Sequence, residues 1–132
     1  MSLMRNPGAS TMRNPDARHL DFSDLQGVIP SNPKWLPSNL DMVAERNGYF
    51  LVCEWKKPYE KFGGGQKILL SRLSITPKIT VLIVEGGTDN RGMWVNYFWK
   101  LNDKTMTPLG TGIENFKVYI NKWYGECDGR QS

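Results

Sequence analysis

The chain has 132 residues, 39% hydrophobic and 23% charged, the balance of one folded domain rather than of a disordered or membrane-embedded chain. A single histidine, His19, and two cysteines, Cys53 and Cys127, exclude a structural zinc centre, which needs about four such ligands at set spacings. The net charge of +4 suits a polyanionic partner, and no apolar run reaches the roughly 20 residues of a membrane span. No secretory leader opens the sequence, so two thiols point to a reducing, cytoplasmic setting.

Residues 1–16 carry Met-Arg-Asn-Pro twice, at 4–7 and 12–15, with almost no apolar side chains. They read as a flexible tail ahead of a single domain over 17–132. A helical turn fits 17–27, and three prolines make 28–38 irregular or extended. Two extended runs follow, 40–45 and 49–56, separated by Arg46-Asn47-Gly48, and Asn-Gly is among the strongest hairpin signals. Residues 57–65, KPYEKFGGG, predict a flexible loop, and 66–74 a helix. The β-branched run 78–85, KITVLIVE, has the composition of a strand buried on both faces. A turn is expected at 86–92 and an aromatic strand at 93–101, MWVNYFWKL. The last element is a helix, with Thr111-Gly-Ile-Glu114 in the form of a capping box and Gly125 as its stop. The order hairpin, helix, strand, strand, helix predicts an α/β domain with a central mixed sheet of about four strands flanked by helices.

Chemistry concentrates at the end of the second hairpin run. Alternation puts Phe50, Val52, Glu54 and Lys56 on one face and Leu51, Cys53 and Trp55 on the other. Glu54 and Lys56 then project into one space, about 6.6 Å apart along the strand. Antiparallel pairing through Asn47-Gly48 brings Asp41 to the same strand end. Two carboxylates are hard ligands suited to Mg²⁺ or Mn²⁺, and a neighbouring ammonium can orient water or stabilise developing charge. These are the needs of phosphodiester hydrolysis.

The pattern Asn39-Leu-Asp41, twelve residues, then Glu54-Trp-Lys56 resembles the PD-(D/E)XK nuclease superfamily, the restriction-endonuclease-like fold, across about residues 37–85. The resemblance implies that Asp41, Glu54 and the Cys53 carbonyl bind Mg²⁺ or Mn²⁺, and that Lys56 serves the attacking water. It extends to small members similar to virus-type replication–repair nucleases, which carry a glutamine on the following helix; Gln66 stands there, in register with Leu69, Leu70 and Leu73. DNA is the implied substrate and a homodimer the implied assembly. The family's Pro-Asp is Leu40-Asp41 here, and its early acidic residue has only Asp21 or Asp24 to fill it, which leaves the number of metals open.

Between Glu54 and Arg72, five basic residues (Lys56, Lys57, Lys61, Lys67, Arg72) face two acidic ones, a net +3 of the total +4. Lys57, Tyr59, Lys61, Lys67 and Arg72 are therefore the candidate nucleic-acid contacts, against the plainer reading of a solvated face. The run from Trp94 to Trp99 has the aromatics to stack bases or to fill core. Gly63-Gly-Gly65 lacks the Lys-Ser/Thr ending of a P-loop, and nothing near His19 supplies a nucleophile. Two other classes compete with the nuclease: a non-catalytic nucleic-acid-binding module on the same fold, and a structural protein whose Glu54 and Lys56 are merely solvated. Small size and basic character would suit a phage or mobile-element protein.

Overall fold

The computed structural model describes residues 22–61 and 64–129, with residues 64–66 described by their backbone alone. The tail 1–16, His19, Asp21 and Gly63 lie outside the described residues. The chain divides into two compact units after Asn39. In the first, the expected helical turn is one turn of 3₁₀ helix, Ser23–Leu25, closed by the Leu25 N–H donating to the Phe22 carbonyl at 2.8 Å.

The second unit is α/β: β1 (Met42–Arg46), β2 (Tyr49–Lys56), α1 (Gly64–Ser74), β3 (Ile79–Asp89), β4 (Gly92–Asn102), β5 (Thr105–Thr111) and α2 (Gly112–Asp128). The strands lie in the order β1-β2-β3-β4-β5, with β2 and β3 parallel and the other neighbours antiparallel, so the sheet is mixed. Asn47 (φ 60) and Gly48 (φ 85) form the two-residue turn between β1 and β2, both with the positive φ of a type I′ hairpin.

Each face of the sheet is closed by one helix. Leu51, Cys53, Leu82, Val84, Val95 and Phe98 pack with Phe116, Trp123 and Cys127 of α2. Val52, Val81, Ile83 and Leu101 pack with Leu70 of α1 on the other side. Residues 81–84 are buried throughout because β3 is central and contributes alternately to both clusters. Fully burying each such aliphatic side chain is worth about 1.5–3 kcal/mol, which makes β3 the rigid axis of the unit. Both cysteines are buried thiols, and burial pushes that of Cys53 up to about 12. Among the described residues no helix is long and apolar enough to cross a membrane.

Several expectations are corrected. The sheet has five strands rather than about four: β5, TMTPLGT, carries Pro108 and Gly110 and has no alternating pattern. It is an edge strand, where a missing N–H is tolerated, and Pro108 sits beside a register shift opposite Phe98 and Trp99. The expected turn at 86–92 shrinks to Asn90-Arg91, because Gly86 and Gly87 belong to β3. Gly86 is needed for close approach, since a Cβ there would lie 2.3 Å from the Trp94 carbonyl oxygen. The capping box does not form: Thr111 still pairs with Tyr97 in the β4–β5 ladder and its side chain makes no cap hydrogen bond. The α2 helix runs past Gly125 to Asp128 and is capped by Gly129.

Candidate active site

The mouth of the β1–β2 hairpin is held by reciprocal hydrogen bonds. Register places Met42 opposite Cys53, so the next residue outward, Asp41, faces Glu54. The Asp41 main-chain N–H donates to Glu54 Oε1 at 3.4 Å, and the Trp55 N–H donates to Asp41 Oδ2 at 2.8 Å. Each carboxylate is thus tethered to the backbone of the opposing strand. The two acids expected to meet are brought to one strand end, and the type I′ turn fixes their register.

Glu54 and Lys56 share the α1 side of β2 with buried Val52, while Cys53 turns its thiol to the α2 side. Only the backbone of Cys53 can serve Glu54's neighbourhood, since its thiol stays protonated in the opposite core. Lys56 is half-buried. Its Nζ lies 3.3 Å from Glu85 Oε1 and 5.8 Å from the centre of the Trp99 ring.

Glu85 is the neighbour of Lys56 that sequence reasoning did not single out. Parallel pairing puts Lys56 opposite Glu85, so the charged ends of two buried runs lie side by side. The second Glu85 oxygen accepts from Asn96 Nδ2 at 3.0 Å. Asn96 reaches it from a β-bulge: Glu85 pairs with Tyr97 and Gly86 with Val95, leaving Asn96 as the extra residue of β4. A signal was present in KITVLIVE, an apolar run that ends in an acid as residues 48–54, GYFLVCE, do, though using it required the β2–β3 register.

Lys57, Pro58, Tyr59 and Glu60 form a tight turn rather than a loose loop. The Glu60 N–H donates to the Lys57 carbonyl at 3.1 Å, and the Lys57 N–H donates to Glu60 Oε1 at 2.7 Å. Tyr59, at φ 68, is fully exposed at its tip. Lys61 is exposed as well. Lys67 and Arg72 line a groove of about 480 Å³ formed by α1 and the β4–β5 turn, with Ile68, Ser71, Asp103 and Lys104. The β4–β5 turn is pinned there: the Asp103 N–H donates to Ser74 Oγ at 2.7 Å, and that hydroxyl donates to the Ser71 carbonyl at 2.6 Å. Lys104 was missing from the expected nucleic-acid contacts. The Gln66 side chain lies outside the described residues. The aromatic run divides as its alternation requires: Val95 and Phe98 are core, Trp99 packs on the α1-side cluster, and Tyr97 is half exposed 6.0 Å from Trp99.

Among the described residues no group of three or more His, Cys, Asp and Glu could hold a metal ion. What the hairpin mouth offers is two carboxylates tethered by main-chain amides, with a backbone carbonyl between them in sequence. That donor set is oxygen only, which fits Mg²⁺ or Mn²⁺, ions that use one or two protein carboxylates and keep several waters. No protein-family model, no curated protein and no solved structure matches the chain.

Proposed function

We propose that the chain is a Mg²⁺- or Mn²⁺-dependent nuclease that hydrolyses DNA phosphodiesters, with a restriction-endonuclease-like core. The observation that carries this reading is the tethering of Asp41 and Glu54 to one another's strands, with Lys56 on the same face as Glu54. In it, Asp41, Glu54 and the Cys53 carbonyl hold the ion, which when bound supplies charge neutralisation at the scissile phosphate and a more acidic water. Lys56 orients the attacking water through its ammonium and offsets the charge that builds on phosphorus. Lys57, Tyr59, Lys61 and the Lys67–Arg72–Lys104 groove grip the DNA backbone, so recognition follows shape rather than base sequence. Double-strand cutting by so small a unit calls for a homodimer.

The ion pair between Lys56 and Glu85 favours a second reading, a non-catalytic nucleic-acid-binding module, because it engages the lysine within the protein. One assay separates the two. Plasmid, single-stranded and branched DNA are incubated with Mg²⁺, Mn²⁺ or EDTA, beside Glu54→Ala and Lys56→Ala variants. The nuclease reading expects metal-dependent cleavage that both variants lose; salt-sensitive binding with no cleavage under any metal would overturn it in favour of the module.

A further inference from the structure

Glu85 and Lys56 form an ion pair whose side chains keep only 14% and 17% of their exposure, beside Ile83 and Trp99 on the α1 side of the sheet. A part-buried pair of this kind is a weak device for stability, since desolvation offsets much of its Coulombic gain. Two further features show that it is built rather than incidental. Asn96 leaves the alternation of β4 in a bulge and donates to Glu85 Oε2 at 3.0 Å, fixing the carboxylate from the side away from Lys56. The Lys56 ammonium also stands 5.8 Å from the centre of the Trp99 ring, which adds one restraint to the ion pair itself on a side chain with four rotatable bonds.

We propose that Glu85, held by Asn96, is a positioning residue that fixes the Lys56 ammonium at the end of β2 for its work on the attacking water; this rests on the nuclease reading. Glu85 touches neither water nor phosphate. It sets where the ammonium stands when substrate arrives, and Asn96 sets where Glu85 stands.

The test compares wild type, Glu85→Gln, Asn96→Ala, Lys56→Ala and the double variant Lys56→Ala/Glu85→Gln on one DNA substrate with Mg²⁺. Folding is checked by circular dichroism, and DNA affinity is measured in EDTA. Glu85→Gln keeps the volume and the hydrogen bond from Asn96 but gives up the negative charge that faces the Lys56 ammonium. Its kcat is expected to fall roughly 10–100-fold with KM and DNA affinity unchanged. Asn96→Ala is expected to lower kcat in the same direction by less, and provides the measurement if Glu85→Gln does not fold. The double variant should be no slower than Lys56→Ala, because Glu85 acts only through Lys56. A wild-type chain that cleaves nothing overturns the nuclease reading and this positioning with it. A cleaving wild type with Glu85→Gln equally fast, with the loss confined to KM, or with the two losses multiplying in the double variant overturns the positioning alone.

Discussion

The main-chain N–H of Trp55 donates to the Asp41 carboxylate at 2.8 Å, closing the hairpin mouth with one of the acids proposed to bind metal. Asp41 therefore has two separable tasks, bracing the strand end and offering an anionic oxygen. Asp41→Asn keeps an oxygen that can accept from Trp55, so its melting temperature should stay close to wild type while metal-dependent cleavage is lost. Asp41→Ala removes both and should also lose about 1 kcal/mol, the ordinary net worth of one hydrogen bond. Thermal melts beside a plasmid-nicking assay check the split; equal activity in Asp41→Asn would remove Asp41 from the metal site.

Gly86 and Gly125 make opposite predictions. Gly86→Ala places a methyl 2.3 Å from the backbone oxygen of Trp94, which cannot retreat without breaking the β3–β4 ladder, and about 3 kcal/mol of stability should be lost. Gly125 sits inside α2, and a methyl added there would meet nothing within 4 Å, so Gly125→Ala should gain about 0.5–1 kcal/mol. Urea denaturation of the two variants tests both signs.

These glycines mark where the sequence stops being legible. Asn47-Gly48, the alternation through β2 and the doubly buried run of β3 are local patterns, and local patterns carried the hairpin, the strand faces and the meeting of Asp41 with Glu54. Gly86 looks the same in sequence whether it makes a turn or admits a neighbouring backbone, since only the position of Trp94 decides. β5 was hidden because Pro108 and Gly110 break its alternation, and an edge position with a bulge at Leu109 between them excuses both. Glu85 was hidden because its meeting with Lys56 depends on the register of two parallel strands joined through α1, which no short window contains.

The Cys53 thiol, pushed by burial from 9.0 to about 12, makes stability depend on pH in one direction. Its folded pKa lies above the unfolded value, so the contribution is complete below about pH 9 and is lost as pH rises toward 12. Tyr119, raised chiefly by burial and then by Glu126 and Cys53, acts with the same sign above its ordinary value. Denaturant midpoints should therefore be flat from pH 7 to about 8 and fall at about pH 10. Cys53→Val should flatten part of that fall and Tyr119→Phe another part; a midpoint indifferent to alkali in wild type would contradict the burial of both groups. The native thiol should also resist alkylation at pH 8 until the chain is unfolded.

Lys67, Arg72 and Lys104 come from two elements, α1 and the β4–β5 turn, and converge on one groove with Asp103 as its only acid among the described lining residues. The hydrogen bonds of Ser74 to Asp103 and Ser71 hold that turn against the helix, so Lys104 is presented at a fixed place rather than on a loose hairpin. A fixed array of three cations against one anion fits a phosphodiester backbone, and each phosphate neutralised contributes about 0.9 to the salt slope on duplex DNA and about 0.7 on single strands. Lys104→Ala, measured in EDTA so that cleavage does not intrude, should lower the slope of log K against log salt by about that amount while leaving kcat on saturating substrate unchanged. Asp103→Asn should strengthen binding at low salt and lose that advantage at high salt. A Lys104→Ala slope equal to wild type would mean that DNA does not run along this groove, and would confine the contacts to the Lys57–Lys61 turn beside Lys56.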